Sequence, residues 1–299
     1  MRVYAFVFTS LFMFLSEPVF ACSVCGCDPA AGTLGLDRPS SRSMRVAVED
    51  RYLLKESGQG QDAESERENR LVLRTQLAPL ERLVVQAEVP WYTFKRHYDA
   101  TGTQDDDANG LGDVSFGARY ELLRVGIEAR HVLALIGQLK LPTGANDRHL
   151  PGAEPDEHIQ LGTGTFDELV GVSYAYGLRP WTLYANVTGR LNGTNSRGFH
   201  YGNALFGTVG ARRAFGETGR LLLSAEAQLR SAGKDQFADG SYDPDSGGKI
   251  LYTSLSAAYS MTDNLLLRGV AQIPTVTSLN GVQSEHPVWY LALSYDFSL

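Results

Sequence analysis

Cysteine, net positive charge and long hydrophobic runs are all scarce in this sequence, and each scarcity narrows its class. Three of the 299 residues are cysteine, and all lie between residues 22 and 27, which confines any thiol chemistry to one short stretch. The net charge of −7 argues against nucleic-acid binding, which needs a basic stripe to displace counterions, so no nucleic acid is expected as a partner. After the N-terminus, no stretch approaches the roughly twenty apolar residues of a membrane-spanning helix.

The sequence does contain a repeated alternation of apolar and polar residues. Between Val114 and Leu122, Phe116 and Tyr120 fall on one face, whereas Arg119 and Glu121 fall on the other. A period of two predicts a β-strand with one apolar face. The same pattern recurs in residues 71–77, 181–188, 221–230 and 289–299.

The connections between these strands indicate which solvent surrounds them. Those after Leu77, Glu121, Tyr176, Arg213 and Tyr259 are short. The intervening ones are long and polar: Lys55 to Asn69, Lys95 to Gly112, Pro142 to Gly164 and Ser231 to Gly248. Short turns on one side and long loops on the other are typical of bacterial outer-membrane barrels. We therefore predict an all-β fold, a transmembrane antiparallel up-and-down β-barrel of about twelve strands.

The N-terminus resembles an export signal. Arg2 supplies the positive end, Val3 to Leu15 the apolar core, and Ala21 ends a small-residue cleavage site. We expect a signal peptide at 1–21, a cysteine-containing periplasmic segment at 22–43 and a barrel at 44–299. This organisation places the protein in the bacterial outer membrane, among outer-membrane lipid and lipopolysaccharide. Leu299 continues the strand register of Tyr295, which favours recognition by the barrel-assembly machinery.

Assigning the apolar strand faces to lipid directs a mixed set of charges into the lumen. The reverse assignment would cost about 2–4 kcal/mol for each Arg or Lys at the membrane midplane. The predicted pore-lining residues are Arg74, Glu88, Arg119, Glu121, Glu128, Arg130, Lys140, Arg190, Glu226, Arg230 and Arg268. At about twelve strands, geometry allows either a narrow pore for a small-molecule solute or a lumen closed by ion pairs.

His131 is an unusual residue for the apolar face of a predicted strand. An outer-membrane lipid hydrolase would place a catalytic serine and histidine on that face. No serine, histidine and acid converge by strand register in this sequence, and it has no nucleophile-elbow motif. We therefore predict that the protein is not an enzyme.

The three cysteines form a cluster directly after the predicted signal. Cys22, Cys25 and Cys27 are soft ligands that suit copper(I) or zinc, and Asp28 could supply a fourth ligand to zinc. Two other fates remain open, namely a disulfide formed in an oxidising periplasm and acylation of Cys22 as a lipoprotein. The alternative function is thus metal handling or redox chemistry, with the barrel as an anchor.

Acidic residues concentrate in the predicted surface loops. They occur at residues 105–107, 154–157 and 235–245, and no spacing among them matches a calcium-binding loop. Two interpretations remain open. The carboxylates either solubilise the loops or bridge through divalent cations to lipopolysaccharide.

Three glycine-containing motifs carry a family resemblance. They are Asn109 to Asp113 (NGLGD), Leu139 to Gly144 (LKLPTG) and Leu161 to Thr165 (LGTGT). In this order they resemble the outer-membrane family named for the MetA-pathway of phenol degradation, from about Arg45 onward. The resemblance implies a transport channel for small molecules, with hydrophobic or aromatic compounds as candidate solutes.

Overall fold

The computed structural model describes residues 42–126, 130–149, 157–216 and 219–299. Within them the strands are β1 (Ser43–Ser57), β2 (Glu64–Leu80), β3 (Leu83–Tyr98), β4 (Gln104–Leu111), β5 (Ser115–Val125), β6 (His131–Lys140), β7 (Asp167–Leu178), β8 (Trp181–Leu191), β9 (Ala204–Phe215), β10 (Leu221–Ala232), β11 (Gly248–Ser260), β12 (Leu265–Leu279), β13 (Gln283–Glu285) and β14 (Val288–Ser298). Short 3-10 turns occupy Gly60–Asp62 and Glu157–Ile159.

Antiparallel pairing closes these strands into a barrel. Each strand pairs with its neighbour along the wall, and β1 pairs with both β2 and β14, so the sheet closes on itself. The strands β4 and β5 both pair with β3, and β13 and β14 both pair with β1, so each couple forms one interrupted wall strand. The described residues therefore build a twelve-strand up-and-down barrel, which confirms the predicted fold.

Alternation along the strands sorts side chains between lipid and lumen, as the sequence predicts. On β8, Leu183 and Val187 are exposed, whereas Tyr184, Asn186 and Thr188 are buried inside the barrel. The apolar face thus points outward and the polar face inward, the reverse of a soluble protein. No helix among the described residues is long and apolar enough to cross a membrane.

The two ends of the barrel differ, but the predicted loop boundaries were partly wrong. The expected turns are short, at residues 81–82, 126–130, 179–180, 216–220 and 261–264. The segments Lys55 to Asn69 and Lys95 to Gly112 are mostly strand, because β1 to β4 continue beyond the apolar band. The described parts of residues 141–166, and residues 233–247, do form loops at the outer end of the barrel.

The predicted signal peptide and most of the cysteine-containing segment lie outside the described residues. Within the described part, β1 begins at Ser43 and β14 ends at Ser298, beside one another at the end with the short turns. Arg45 and Asp296 join these strands, with Arg45 Nε 2.6 Å from Asp296 Oδ1. The described residues therefore close the barrel wall by themselves.

Candidate functional site: the lumen and its loop

Charges of both signs face inward, and most lie in ion pairs between or along strands. Arg74 on β2 stands directly opposite Glu88 on β3, with its Nε 2.7 Å from Glu88 Oε1. On β5, Arg119 Nη1 lies 2.9 Å from Glu121 Oε1, and both side chains are buried. Opposite charges facing one another across a sheet stabilise it, so the Arg74–Glu88 pair strengthens the contact between β2 and β3, whereas Arg119 and Glu121 neutralise one another along a single strand.

Lys140, at the outer end of β6, lies between two carboxylates. Its Nζ is 2.9 Å from Asp113 Oδ2 and 2.5 Å from Asp167 Oδ2, and it also donates to Thr163 Oγ1. The residues come from the end of β6, the start of β7 and the break between β4 and β5. Distant parts of the chain therefore meet at one ammonium group.

Four other predicted residues also face inward. Glu226 accepts a hydrogen bond from Tyr184 Oη at 2.5 Å, and Arg230 pairs with Glu285. Arg190 stacks over the ring of Phe206 at 5.3 Å, and Arg268 lies on the inward face of β12 near Glu49.

Two of the predicted pore-lining residues, Arg130 and Glu128, are not seen on the inward face of a described strand. Arg130 is exposed in the turn before β6, which begins only at His131, so it lies at the rim rather than on the wall. Glu128 lies outside the described residues.

The lumen loop is defined as residues 141–166, and its described part folds back into the barrel. Its described part includes Ile159, Gln160 and Leu161, all buried, with Leu161 packed beside Tyr92 on the inward face of β3. Lys95 on the same strand donates from Nζ to the Gln160 carbonyl at 2.8 Å. The loop therefore narrows the outer half of the lumen.

The three glycine motifs meet where this loop enters and leaves the wall. Asp113 accepts hydrogen bonds from the backbone N–H of Gly144 at 2.9 Å and of Thr163 at 2.8 Å. A Cβ added to Gly144 would come within 2.8 Å of Gly162, closer than side-chain atoms approach backbone. The glycines thus allow two backbone segments to pack together over one carboxylate, which we call the Asp113 latch.

A second anchor holds the far part of the lumen loop. Glu157 accepts hydrogen bonds from Asn195 Nδ2 at 3.0 Å, Arg197 Nε at 2.9 Å and Tyr201 Oη at 2.8 Å. Burial, followed by the Glu157 charge, raises the pKa of Tyr201 well above its ordinary value. The tyrosine therefore stays a neutral donor, and the loop is tied to the connection between β8 and β9.

A cavity of about 160 Å³ lies between the lumen loop and the wall. Its charged lining includes Arg70, Arg74, Lys95, Lys140, Arg190 and Asp167. Arg70 pairs with Glu68 at 3.0 Å and Lys95 with Glu66 at 3.4 Å, whereas Arg190 has an aromatic partner. Among the described residues, no carboxylate lies within ion-pair distance of Arg190.

Sequence reasoning missed several inward-facing residues that matter to this site. Arg51 is fully buried and pairs with Glu49, and Arg70 shares the inward face of β2 with Arg74. Arg51 precedes the outward-facing Tyr52 and Arg70 precedes the outward-facing Leu71, so the alternation of the sequence could have identified both arginines as inward-facing. Glu157 and Asp167 carry no comparable signal, because their roles depend on the path of the lumen loop.

His131 lies in an aromatic cluster on the outward face. Its Nδ1 is 2.7 Å from Tyr174 Oη, and its ring lies 5.0 Å from the ring of Tyr176. Aromatic belts of this kind mark the membrane interface. Tyr92 and Tyr290 do not belong to this belt, because they face the lumen; Tyr290 donates to Gln272 there at 2.9 Å.

The predicted metal ligands Cys22, Cys25 and Cys27 lie outside the described residues. Within the described ranges, no group of three or more His, Cys, Asp or Glu side chains is arranged to hold a metal ion. Copper or zinc binding by the cysteine cluster therefore stays a prediction.

The sequence profile of one family matches residues 59–278, more than half of the 299-residue chain. The chain belongs to the family named for the MetA-pathway of phenol degradation. The matched region contains all three glycine motifs of this chain and the whole described part of its lumen loop. No curated protein sequence matches the chain.

Solved structures share the barrel of this MetA-pathway family member. An outer membrane channel from Pseudomonas putida F1 has a TM-score of 0.68 at 15% identity, covering 87% of this chain and 97% of its own. The translocator domain of the autotransporter NalP from Neisseria meningitidis has a TM-score of 0.54 at 11% identity, covering 89% and 92% respectively. The NanC porin has a TM-score of 0.50 at 8% identity, covering 84% and 98%. The protein is thus a bacterial outer-membrane barrel.

Proposed function

We propose that this protein is a passive outer-membrane channel for small polar solutes, narrowed by the lumen loop. The observation that carries the proposal is the inward face itself, where charges of both signs line a cavity closed by a loop from the outer end. Such a wall is wet, and its paired charges leave both anions and cations a low electrostatic barrier. The outer membrane channel from Pseudomonas putida F1 shares the fold and supports the proposal.

The lining of the cavity determines which solutes suit it best. Tyr92, Leu161 and Tyr201 supply some apolar surface, but charged and amide side chains surround them. A hydrophobic or aromatic solute, which the family resemblance suggests, would have to displace water from these charges without replacing its hydrogen bonds. We therefore favour small polar or charged solutes, including aromatic compounds that carry a charged group.

Planar-bilayer recording of the purified mature protein tests this function directly. The channel should give discrete conductance steps that scale with salt and change when Lys140 is replaced by glutamine. R220Q, at the opposite end of the barrel, is the matched control and should conduct like wild type, because Arg220 is exposed beside Asp263. Absence of steps from folded protein at all voltages would refute the channel.

Liposome swelling then separates the solute classes. Vesicles containing the barrel should swell in small sugars, amino acids and carboxylates, and swell more slowly in uncharged aromatic solutes of similar size. Faster entry of uncharged aromatics would refute the polar-solute proposal while leaving the channel intact.

A further inference from the structure

Two arginines on the outward face of the barrel stand directly opposite one another. Arg67 on β2 pairs in register with Arg96 on β3, and the neighbouring Glu66, Glu68, Lys95 and His97 all point inward. Like charges directly opposite in a sheet are destabilising, and Asp107 offsets only the charge of Arg96, so an anion between the two guanidinium groups would lower the remaining repulsion. We call Arg67 and Arg96 the outer arginine pair.

The local contacts leave this pair able to bind an anion. Arg67 stacks over Tyr98 at 4.8 Å, and Arg96 stacks over Phe94 at 4.6 Å. Arg96 Nε lies 3.1 Å from Asp107, and among the described residues no carboxylate lies within ion-pair distance of Arg67. Stacking fixes the plane of each guanidinium and leaves N–H groups at its edge to bind a phosphate.

The height of the pair on the barrel identifies the source of that anion. Leu71 and Trp91 are exposed on the same face and belong to the apolar band. Arg67 lies four residues beyond Leu71, which at about 3.3 Å per residue and a tilt of about 45° is roughly 9 Å above it. That level is occupied by lipid headgroups rather than by acyl chains.

Polar side chains just below the pair extend the same surface. Asn69 Nδ2 donates to the exposed Asp50 carboxylate at 2.5 Å and to the Arg51 carbonyl at 3.1 Å, and Thr93 Oγ1 donates to the Asn69 carbonyl at 3.2 Å. Tyr52 and Trp91 are exposed beside them. Cations above hydrogen-bonding groups and aromatic rings match an amphiphile whose charged head lies above a sugar and acyl chains.

We propose that the outer arginine pair binds the phosphate of a phosphorylated glycolipid of the outer leaflet, the chemistry of lipopolysaccharide. The phosphate lies between the two guanidinium groups, with the sugar and the start of the acyl chains against Asn69, Thr93 and Trp91. The site is on the outside of β2 and β3, so it does not depend on whether the lumen conducts.

Native mass spectrometry of the full mature barrel, incubated with diphosphoryl lipid A, tests this site. The affinity of the double variant R67Q/R96Q for the lipid should be at least about tenfold lower than that of wild type, because the variant loses the charge-assisted hydrogen bonds to phosphate. R220Q removes an exposed arginine at the opposite end and should bind like wild type. Heat-modifiable migration on a gel confirms that each variant is folded.

Two further arms use wild-type protein and so do not depend on a variant folding. Lipid A stripped of both phosphates should bind much more weakly than the diphosphoryl form, and excess inorganic phosphate should not displace the lipid. Equal binding of the dephosphorylated form, or undiminished binding by R67Q/R96Q, would overturn the site. Displacement of the lipid by inorganic phosphate would show that the outer arginine pair recognises free phosphate rather than a glycolipid, which would overturn the proposed ligand.

Discussion

At the scale of single residues, Arg190 differs from the other cations of the cavity. Arg70, Arg74 and Lys140 each lie beside a carboxylate, whereas Arg190 stacks on Phe206. A paired cation contributes little net potential to the lumen, but a cation against an aromatic ring keeps its charge toward the cavity. Arg190 should therefore favour the passage of anions.

Replacing Arg190 with glutamine is expected to make the channel less permeable to anions. Loss of roughly 1 kcal/mol of attraction at this point corresponds to a change of about fivefold in the cation-to-anion permeability ratio. Reversal potentials under a potassium chloride gradient measure this ratio. R130Q is the control, because Arg130 is exposed in a turn and should leave the ratio close to wild type. An equal shift in both variants would contradict the special position of Arg190.

At the scale of elements, the Asp113 latch determines whether the lumen loop stays inside the barrel. Asn in place of Asp113 keeps one oxygen acceptor but loses the charge that faces Lys140 and two backbone N–H groups. Hydrogen bonds to a charged group contribute about 1.5–3 kcal/mol each. We expect D113N to loosen the loop, raise single-channel conductance and speed proteolysis between residues 141 and 166. D239N, at an exposed carboxylate bonded to Ser241, should change neither quantity.

A methyl group at the crossing of the two glycine segments tests the latch sterically. In G162A the new Cβ would collide with Asp113 and approach Gly144 within 2.8 Å, which should cost about 1–3 kcal/mol and displace the loop. G137A is the matched control, because a Cβ at Gly137 meets nothing within 4 Å. The thermal midpoint and the conductance should both change in G162A alone. A wild-type conductance in G162A would show that this crossing does not hold the loop.

The outer extensions of β2, β3 and β4 are joined by His97. Its Nε2 lies 3.0 Å from Glu64 and its Nδ1 lies 2.6 Å from Asp105. Burial opposes the charged form, but the two carboxylate hydrogen bonds outweigh it and raise the pKa of His97 to about 9, from an ordinary 6.5. A raised histidine pKa stabilises the fold fully below pH 6.5 and loses this effect as the pH rises through about 9.

Hydrogen exchange of the β4 amides, corrected for intrinsic rates, should therefore show less protection at pH 9.5 than at pH 6. H97Q should lower the protection at pH 6 and remove most of this difference, while amides of β7 in the same sample serve as an internal control. A pH dependence in β4 that persists in H97Q would assign it to other groups.

The parts of the strands that face the membrane were predictable from the sequence, whereas the parts of the strands beyond the membrane were not. Inside the apolar band, lipid requires an apolar outer face, so residues 114–122 and 289–299 alternate clearly. Above the band both faces meet water or charge, as at Glu66, Arg67 and Glu68, so alternation disappears although the ladder of hydrogen bonds continues. The outer parts of β1 to β4, between residues 55 and 69 and between residues 95 and 112, were therefore predicted as loops.

The candidate site was predictable to a similar extent. Arg74 and Glu88 lie on strands joined by a two-residue turn, and alternation alone predicts that both face the lumen near one another. A one-residue register shift between Leu77 and Leu80 places Glu88 rather than Val89 opposite Arg74, and counting outward from the turn does not predict that shift. The contact of Arg230 with Glu285 and that of Asp113 with Thr163 depend on closure of the barrel and on the path of the lumen loop. No local pattern in the sequence determines either of these.

At the scale of the whole molecule, closure of the barrel depends on strand pairing that begins at Ser43. β1 pairs with β2 and β14 along most of its length, so the described residues close the wall by themselves. A variant that keeps the predicted signal peptide and lacks residues 22–40 is therefore expected to reach the outer membrane, fold and conduct. Heat-modifiable migration and bilayer recording measure these two properties.

The triple variant C22S/C25S/C27S separates the thiols from the segment that carries them. It should fold and conduct like wild type while losing any copper(I) or zinc bound by the reduced protein, because serine is a poor ligand for these soft and borderline metals. Metal binding is measured as metal per protein after dialysis, with the 22–40 deletion as a second metal-free reference. Metal retained by both variants would exclude the cysteine cluster as the metal site. Loss of conductance in the triple variant alone would instead show that the thiols are needed for transport. The cysteine cluster and the channel would then serve a single function.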